Sequence, residues 1–304
     1  GTAVYMTAYP RLQDENGKMP ALRDWEDILP VREWLYQTPQ QILTKASNGA
    51  SDFGNKFGQP LITGSVLTFE HQENGEKYAY DKVVMLAGGV GYGAKRDCLK
   101  KTPQPGNKVV VVGGDNYRIG LGGGSVSSVD TGRYSSGIEL NAIQRANPEM
   151  QKRAYNLVRA LVEEDENPVV SIHDHGSAGH LNCLSELVED CGGRIDMDKL
   201  PIGDKTLSAK EIIANESQER MGLLIDKKYL DHVRRIAERE RAPMYVVGET
   251  TGDAHFSFVQ KDGVKPFDLD VAQMFGHSPK TIMKDETVER KYADVAYDIA
   301  KIDD

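Results

Sequence analysis

The spacing of apolar positions changes near residue 108, where an irregular first third gives way to a regular pattern. The run "KVVVV" at 108–112 is almost continuous and β-branched, which is typical of a strand buried on both faces. Three further apolar runs predict strands, namely "PVVSI" at 168–172, "MGLLID" at 221–226 and "MYVVGE" at 244–249.

Helical periodicity separates these strands. Asn147, Pro148 and Glu149 supply a cap, a proline at the first helical position and an acidic first turn. One apolar face follows, formed by Met150, Ala154, Leu157, Val158, Leu161 and Val162. Two more helices are predicted at 181–188 and 230–241. The alternation of strands and helices predicts an α/β fold, mixed in its topology, with sheet and helices in layers.

The first third of the chain is harder to interpret because Pro10, Pro20, Pro30 and Pro39 interrupt its periodicity. Residues 24–47 are compatible with one or two short helices, and the glycine-rich stretch 48–60 predicts a loop. Two strands are expected at 61–70 and 80–87, with "QENGEK" between them as a turn, and "TPQPGNK" at 102–108 predicts a linker.

Composition narrows the class of protein. Apolar residues make up 39% of the 304 residues, enough to bury a core, and a net charge of −9 without a basic cluster argues against a nucleic-acid partner. The three cysteines form no disulfide framework, which indicates a reducing, cytoplasmic location. No apolar run approaches the roughly 18–20 residues of a membrane span. Because the chain opens without an initiator methionine, we expect a piece excised from a longer protein.

The loop after the first regular strand is unusually rich in glycine. It reads "GGDNYRIGLGGGSVSSVDTG" at 113–132, and such a backbone approaches a ligand closely and directs N–H groups at an anion. It contains neither the GK[ST] of a P-loop nor a GxGxxG fingerprint. Anion binding and a tightly turned surface loop both stay open.

The stretch "HDHGSAGH" at 173–180 raises the question of a metal site. A zinc site would use His173, His175, His180 and Cys183, but no HExxH is present and no carboxylate lies at a recognised spacing. A single aspartate, Asp174, on a glycine-rich loop suits Mg²⁺ better, because this ion takes hard oxygen ligands and substrate phosphates. A third polar stretch, "NESQER" at 215–220, is either a ligand site or a solvated strand entry.

Several long motifs occur in one order and carry a family resemblance. They are "NKFGQPLITGSVLTFE", "DKVVMLAGGVG", "GGDNYRIGLGGGSVSSVDTG", "IQRANPEMQKRA", "VVSIHDHGSAGHLNCLSELVEDCGG", "LSAKEIIANESQERMGLLI" and "ERAPMYVVGETT". Over residues 46–284 the chain resembles an internal part of the long, single-chain phosphoribosylformylglycinamidine synthases of purine biosynthesis.

The resemblance implies an aminoimidazole ribonucleotide synthase-like fold. Residues 1–105 would be a leading segment and the later part of a first N-module, and residues 106–275 a complete C-module. Residues 276–304 would lead toward the second half of the enzyme. The catalytic histidine, the first ATP-binding loop, the second pair of modules and the glutaminase domain would lie elsewhere in the parent. We therefore expect no catalytic residue here, and a fragment that is inactive alone.

The implied activity is an ATP-dependent ligation that converts formylglycinamide ribonucleotide to the amidine with glutamine-derived ammonia. Gln144, Glu216, Ser217 and Gln218 match the substrate-binding positions of the family, and Asp174 matches its metal-binding aspartate. Implied cofactors are ATP and Mg²⁺, and implied partners are the remaining synthase and glutaminase domains, without nucleic acid or membrane. His175 and His180 depart from the apolar or small residues usual in this loop. The alternatives are another enzyme of the superfamily, a non-catalytic nucleotide-binding scaffold and a zinc hydrolase.

Overall fold

The computed structural model describes residues 2–7, 39–59, 61–80, 84–127, 129, 133–142, 147–217, 219–284 and 286. The described residues before 95 form two small sheets and one long helix. These elements are β1 (Thr2–Thr7), α1 (Pro39–Phe57), β2 (Thr63–Thr68), β3 (Glu70–Glu73), β4 (Glu76–Ala79) and β5 (Val84–Gly88). Strand β1 lies between β2, which is parallel to it, and β5, which is antiparallel, and β3 and β4 form a hairpin.

Two local predictions for this region are wrong. The stretch 48–60 is not a loop, because α1 runs through it to Phe57, whose ring stacks on Phe53 and packs edge-on against Tyr155. These aromatic contacts outweigh the low helix propensity of the glycines. "QENGEK" is mostly strand, since Asn74 and Gly75 alone make the turn with positive φ angles of 54° and 83°. A two-residue Asn-Gly turn lets both strands continue to its edge.

The larger part of the chain forms a seven-stranded sheet in the order β12-β11-β8-β10-β6-β9-β7. Its strands are β6 (Lys108–Val112), β7 (Val169–Asp174), β8 (Gly193–Asp196), β9 (Met221–Ile225), β10 (Met244–Thr250), β11 (His255–Val259) and β12 (Phe267–Asp270). The pair β11–β8 is parallel and the other neighbours are antiparallel, so the predicted mixed α/β fold is confirmed. The sequence patterns had not predicted β8, β11 and β12.

Helices cover both faces of this sheet, which explains why the inner strand β6 carries four buried valines in a row. The helices of this region are α2 (Gly123–Ser127), α3 (Ser136–Ala142), α4 (Pro148–Val162), α5 (Gly179–Leu187), α6 (Ala209–Ala214), α7 (Leu230–Glu240) and α8 (Val271–Phe275). Val110 and Val112 of β6 pack with the residues of α4 and α7. Val109 and Val111 pack with those of α5 and α6. Alternating side chains of one strand thus enter two separate cores.

The predicted helix starts and faces agree with the structure. The Asn147 side chain accepts a hydrogen bond from the Met150 N–H at 3.1 Å, and Pro148 is the first residue of α4. Ala154, Leu157 and Leu161 are buried on the predicted face. Among the helices that the structure describes, none is long and apolar enough to cross a membrane.

Candidate functional site

The order of three neighbouring strands brings the three polar stretches together. β9 lies between β6 and β7 and is antiparallel to both. The last residue of β6, Val112, and the last residue of β7, Asp174, are both paired with Met221, the first residue of β9. The glycine-rich loop after β6, the turn after β7 and the segment before β9 therefore meet at one edge of the sheet. We call them the glycine loop (113–127), the aspartate turn (174–180) and the polar segment (215–220).

The polar segment binds the glycine loop through side chain and backbone. The Asn215 amide donates to the carbonyls of Tyr117 and Ile119 at 2.8 and 2.6 Å. The Glu216 N–H donates to the Gly120 carbonyl at 2.8 Å. Since Asn215 and Glu216 are 2% and 5% exposed, these bonds are shielded from water and hold the loop at the sheet edge.

The Glu216 carboxylate joins the glycine loop to the aspartate turn. Its Oε1 accepts hydrogen bonds from the N–H of Gly124, near the start of α2, and from the N–H of Ala178, just before α5, both at 3.2 Å. Both donors belong to helix N-termini, where backbone N–H groups have no acceptor in the preceding turn of the helix and favour a negative charge. The Glu216 side chain is thus an acceptor shared by two loops that are far apart in sequence.

This close packing explains why two positions of the loop, Gly120 and Gly124, are glycine. Gly120 has a φ of 78°, and a Cβ there would overlap the Glu216 carbonyl oxygen. A Cβ on Gly124 would overlap the Ser177 hydroxyl of the aspartate turn. The loop backbone at Gly124 is therefore approached by the protein's own Glu216 carboxylate, and binding of an external anion stays a prediction.

Asp174 lies at the exposed end of β7. Its Oδ1 accepts a hydrogen bond from the Gly176 N–H at 2.8 Å, which closes a short turn of the kind that aspartate favours. An exposed carboxylate of this kind offers a hard oxygen ligand of the type that Mg²⁺ prefers. Asp174 could therefore supply one oxygen ligand to a metal ion.

The histidines and Cys183 do not converge on one point. His173 pairs with Glu186, whereas His175 and His180 are fully buried and contact each other, Nε2 to Nδ1, at 2.9 Å. Burial, and then the neighbouring Asp174 charge, raise the pKa of the Cys183 thiol far above its usual range, which leaves it protonated. Within the described ranges, no group of three or more His, Cys, Asp or Glu side chains could hold a metal ion.

Arg220 lies at the centre of the buried contacts between the polar segment and the aspartate turn. It is fully buried, and its Nη2 donates to the carbonyl and side-chain oxygens of Asn215 at 2.5 and 2.9 Å. Its Nη1 lies 3.2 Å from Nε2 of His180. Burial, and then the Arg220 charge, lower the pKa of His175 and of His180 well below the usual value, so both imidazoles are neutral.

The structure brings together Asp174, Glu216 and Ser217 of the predicted site residues. Gln144 and Gln218 lie outside the described residues. Asn215, Arg220 and His180 were not predicted to hold the site together. Asn215 and Arg220 flank the predicted residues within "NESQER", so their polarity beside an apolar strand was the available signal.

The class of protein follows from a match to a known protein family. The profile described as AIR synthase related protein, C-terminal domain, matches residues 104–261. This chain belongs to that family, and the predicted aminoimidazole ribonucleotide synthase-like fold is confirmed.

The particular relatives are phosphoribosylformylglycinamidine synthases. The Dictyostelium discoideum protein of that name is 40% identical over 253 residues, which cover 81% of this chain and 19% of that protein. The Homo sapiens protein is 39% identical over 238 residues, 77% of this chain and 18% of that protein. The resemblance inferred from the motifs is confirmed, and the chain spans about a fifth of the length of these curated relatives.

Solved structures agree on the fold. A Thermotoga maritima structure, PurL complexed with FGAR, has a TM-score of 0.66 at 22% identity, over 95% of this chain and 41% of that one. The HypE–HypF complex structure has a TM-score of 0.53 at 14% identity, over 87% of this chain and 75% of that one. At these identities the likeness concerns the fold.

Proposed function

We propose that this chain is part of an ATP-dependent ligase that converts formylglycinamide ribonucleotide to formylglycinamidine ribonucleotide with glutamine-derived ammonia. The observation that carries the proposal is the 40% identity to a phosphoribosylformylglycinamidine synthase over 81% of the chain. The relatives extend well beyond this sequence, so the parent would supply further synthase modules and a glutaminase domain. A cytoplasmic location is part of the same proposal.

The proposed division of the chain follows the resemblance. Residues 1–105 would belong to an N-module with its leading segment, residues 106–275 to a C-module, and residues 276–304 to a connection toward the second half. In the reaction, ATP would phosphorylate the oxygen of the substrate's glycinamide carbonyl, and ammonia would then displace phosphate at that carbon to give the amidine. Phosphate is a better leaving group than the unactivated carbonyl oxygen, which is the chemical reason why the reaction would consume ATP.

Asp174 is the residue that we assign to Mg²⁺. When bound, the ion would neutralise charge on phosphate oxygens. The chain itself contributes an exposed carboxylate whose direction is set by its hydrogen bond from the Gly176 N–H. The same turn is joined to Glu216 at Ala178, so the ligand would be held against the substrate-binding segment.

Gln144, Glu216, Ser217 and Gln218 are assigned to the substrate. Amide and carboxylate groups supply the paired donors and acceptors that ribonucleotide hydroxyls and amides require. Glu216 is already engaged by two backbone N–H groups. Its role would therefore include holding the two loops in position around the ligand, beside any direct contact.

Substitution of the two glutamines in the full-length parent tests this assignment. Gln144→Ala and Gln218→Ala should each raise the KM for formylglycinamide ribonucleotide by roughly 5- to 150-fold, because an unpaired buried partner costs about 1–3 kcal/mol. The KM for ATP should change much less. Gln273→Ala, at an exposed glutamine of α8, is the matched control and should leave both constants unchanged.

A purely structural role for these glutamines would give a different pattern. The melting temperature would fall while the substrate KM stayed constant. That result would refute the substrate assignment. Absence of any ATP-dependent amidine formation by the unaltered parent would refute the proposed activity itself.

A further inference from the structure

A buried hydrogen-bonded chain runs from the polar segment into the aspartate turn. Arg220, His180 and His175 are each 0% exposed. Nη1 of Arg220 contacts Nε2 of His180 at 3.2 Å, and Nδ1 of His180 contacts Nε2 of His175 at 2.9 Å. The two imidazole planes are perpendicular, with ring centroids 4.7 Å apart.

The position of every proton in this chain follows from the arginine. A guanidinium has donors and no acceptor, so Nε2 of His180 must accept and carries no proton. Neutral His180 then has its proton on Nδ1 and donates it to Nε2 of His175. His175 in turn carries its proton on Nδ1, a buried atom without a hydrogen-bond partner among the described residues. The chain therefore has one direction, from Arg220 to His175.

Backbone bonds attach the same residues to each other. The His175 N–H donates to the Arg220 carbonyl at 3.4 Å, and the Ser217 N–H donates to the His175 carbonyl at 3.0 Å. Gly179, with a φ of 53°, lies against the Asn215 peptide so closely that a Cβ there would overlap it. The ends of the aspartate turn are thus fixed to the polar segment by both side chains and main chain.

We propose that Arg220 and His180 are positioning residues. They hold the aspartate turn, which carries Asp174, at a defined place on the polar segment, which carries Glu216 and Ser217. The physical reason for using polar residues here is that their hydrogen bonds run in one direction, from Arg220 to His175. Apolar side chains of similar volume would fill this space at least as stably, since buried polar groups stabilise a fold only when their bonds are well made. A directed chain instead permits one arrangement of the two segments. The effect on catalysis rests on the proposed function, whereas the positioning itself does not.

Histidine-selective ¹⁵N labelling of the 304-residue chain tests the direction of the chain. NMR should show His175 and His180 both neutral and protonated on Nδ1 in the unaltered protein. In Arg220→Met, the Nδ1 preference of His180 should be lost. Protonation of His180 on Nε2 in the unaltered protein would overturn the proposal.

Hydrogen exchange in the same chain tests the positioning. His180→Phe fills the space but removes both bonds, and it should accelerate exchange of the amides at 176–179 and 216–217 by about tenfold or more. Leu184→Ala is the matched control, because Leu184 is a fully buried residue of the same helix that packs in the apolar core. It should lower the melting temperature without this selective acceleration. Equal exchange in His180→Phe and the unaltered chain would overturn the proposal.

Kinetics of the full-length parent test the consequence for catalysis. His180→Phe should lower kcat/KM for formylglycinamide ribonucleotide by about 10- to 100-fold, since small displacements of binding groups have effects of this size. His180→Gln keeps one acceptor and one donor and should recover part of the loss, and Leu184→Ala should stay within about twofold. A twofold or smaller effect of His180→Phe would show that the chain has no role in the reaction. An inactive parent would refute the proposed function, while exchange and NMR would still judge the positioning.

Discussion

At the scale of single residues, the carboxylates of the site differ sharply in their surroundings. Asp174 is exposed and bonded to one neighbouring backbone N–H, whereas Glu216 is 5% exposed and bonded to two loops. A carboxylate in the first environment is available to an external cation. A carboxylate in the second mainly satisfies the protein's own donors. Substitutions at the two positions should therefore have different consequences.

Asp174→Asn separates charge from turn geometry. Asparagine retains the oxygen that accepts from the Gly176 N–H, so the turn should persist and the melting temperature should stay unchanged. Loss of the anion should lower ligase turnover of the full-length parent by about 100-fold or more at saturating magnesium. Glutaminase activity is the internal control, because its active site would lie in another domain. Unchanged ligase turnover would disprove the metal assignment.

Glu216→Ala should destabilise the chain, because the N–H groups of Gly124 and Ala178 would lose their shared acceptor. The expected loss is about 1–3 kcal/mol of unfolding free energy, measured by urea denaturation. Glu216→Gln keeps an amide oxygen for both donors and should recover most of this stability. A Glu216→Ala variant as stable as the unaltered chain would contradict the structural role of this carboxylate.

At the scale of elements, the hairpin of β11 and β12 carries a pH-dependent contact. His255 on β11 contacts Asp270 through Nδ1 at 2.8 Å and Asp268 through Nε2 at 2.6 Å. These hydrogen bonds, to Asp270 first and Asp268 second, raise the pKa of His255 above its usual value of 6.5. The protonated form of His255 is therefore stabilised in the folded chain relative to the unfolded chain.

The sign of the pH dependence follows from that raised pKa. The stabilisation should be complete below about pH 6.5, the unfolded value, and should be lost as the pH rises through the higher folded value. His255→Gln should therefore lower the melting temperature near pH 6, and its difference from the unaltered chain should vanish in the alkaline range. His277→Gln, at an exposed histidine outside this contact, is the control. A constant difference across the range would contradict the assignment, and added salt should reduce the effect.

At the scale of the whole molecule, most of this chain aligns with its relatives, but the aligned segment is only a small part of each relative. The chain aligns over 81% of its own length with 19% of the Dictyostelium discoideum protein. Under the proposed function, the sites that a complete ligase needs beyond the residues assigned here to metal and substrate would lie on other segments. The purified chain should therefore form no amidine product from formylglycinamide ribonucleotide, ATP, magnesium and ammonia. Product formation by the chain alone would show that the reaction needs only this part.

The sequence alone determined the elements whose signals are local. The run "KVVVV", the Asn147 cap and the apolar face of α4 were predictable because periodicity and capping act within a few residues. The ordered motifs also identified the relatives and the α/β class. Short strands such as β8, with the sequence "GRID", carry no such signal, because their neighbours in the sheet decide their conformation.

Only the tertiary structure decided how the site is assembled. No local pattern states that β9 lies between β6 and β7, and this strand order is what places Val112 and Asp174 beside Met221. The spacing of His175 and His180 likewise did not decide their role, because this spacing suits a surface metal site as well as a buried core. Burial against Arg220 made them neutral members of a hydrogen-bonded chain, because an interior position penalises the charged form of a histidine.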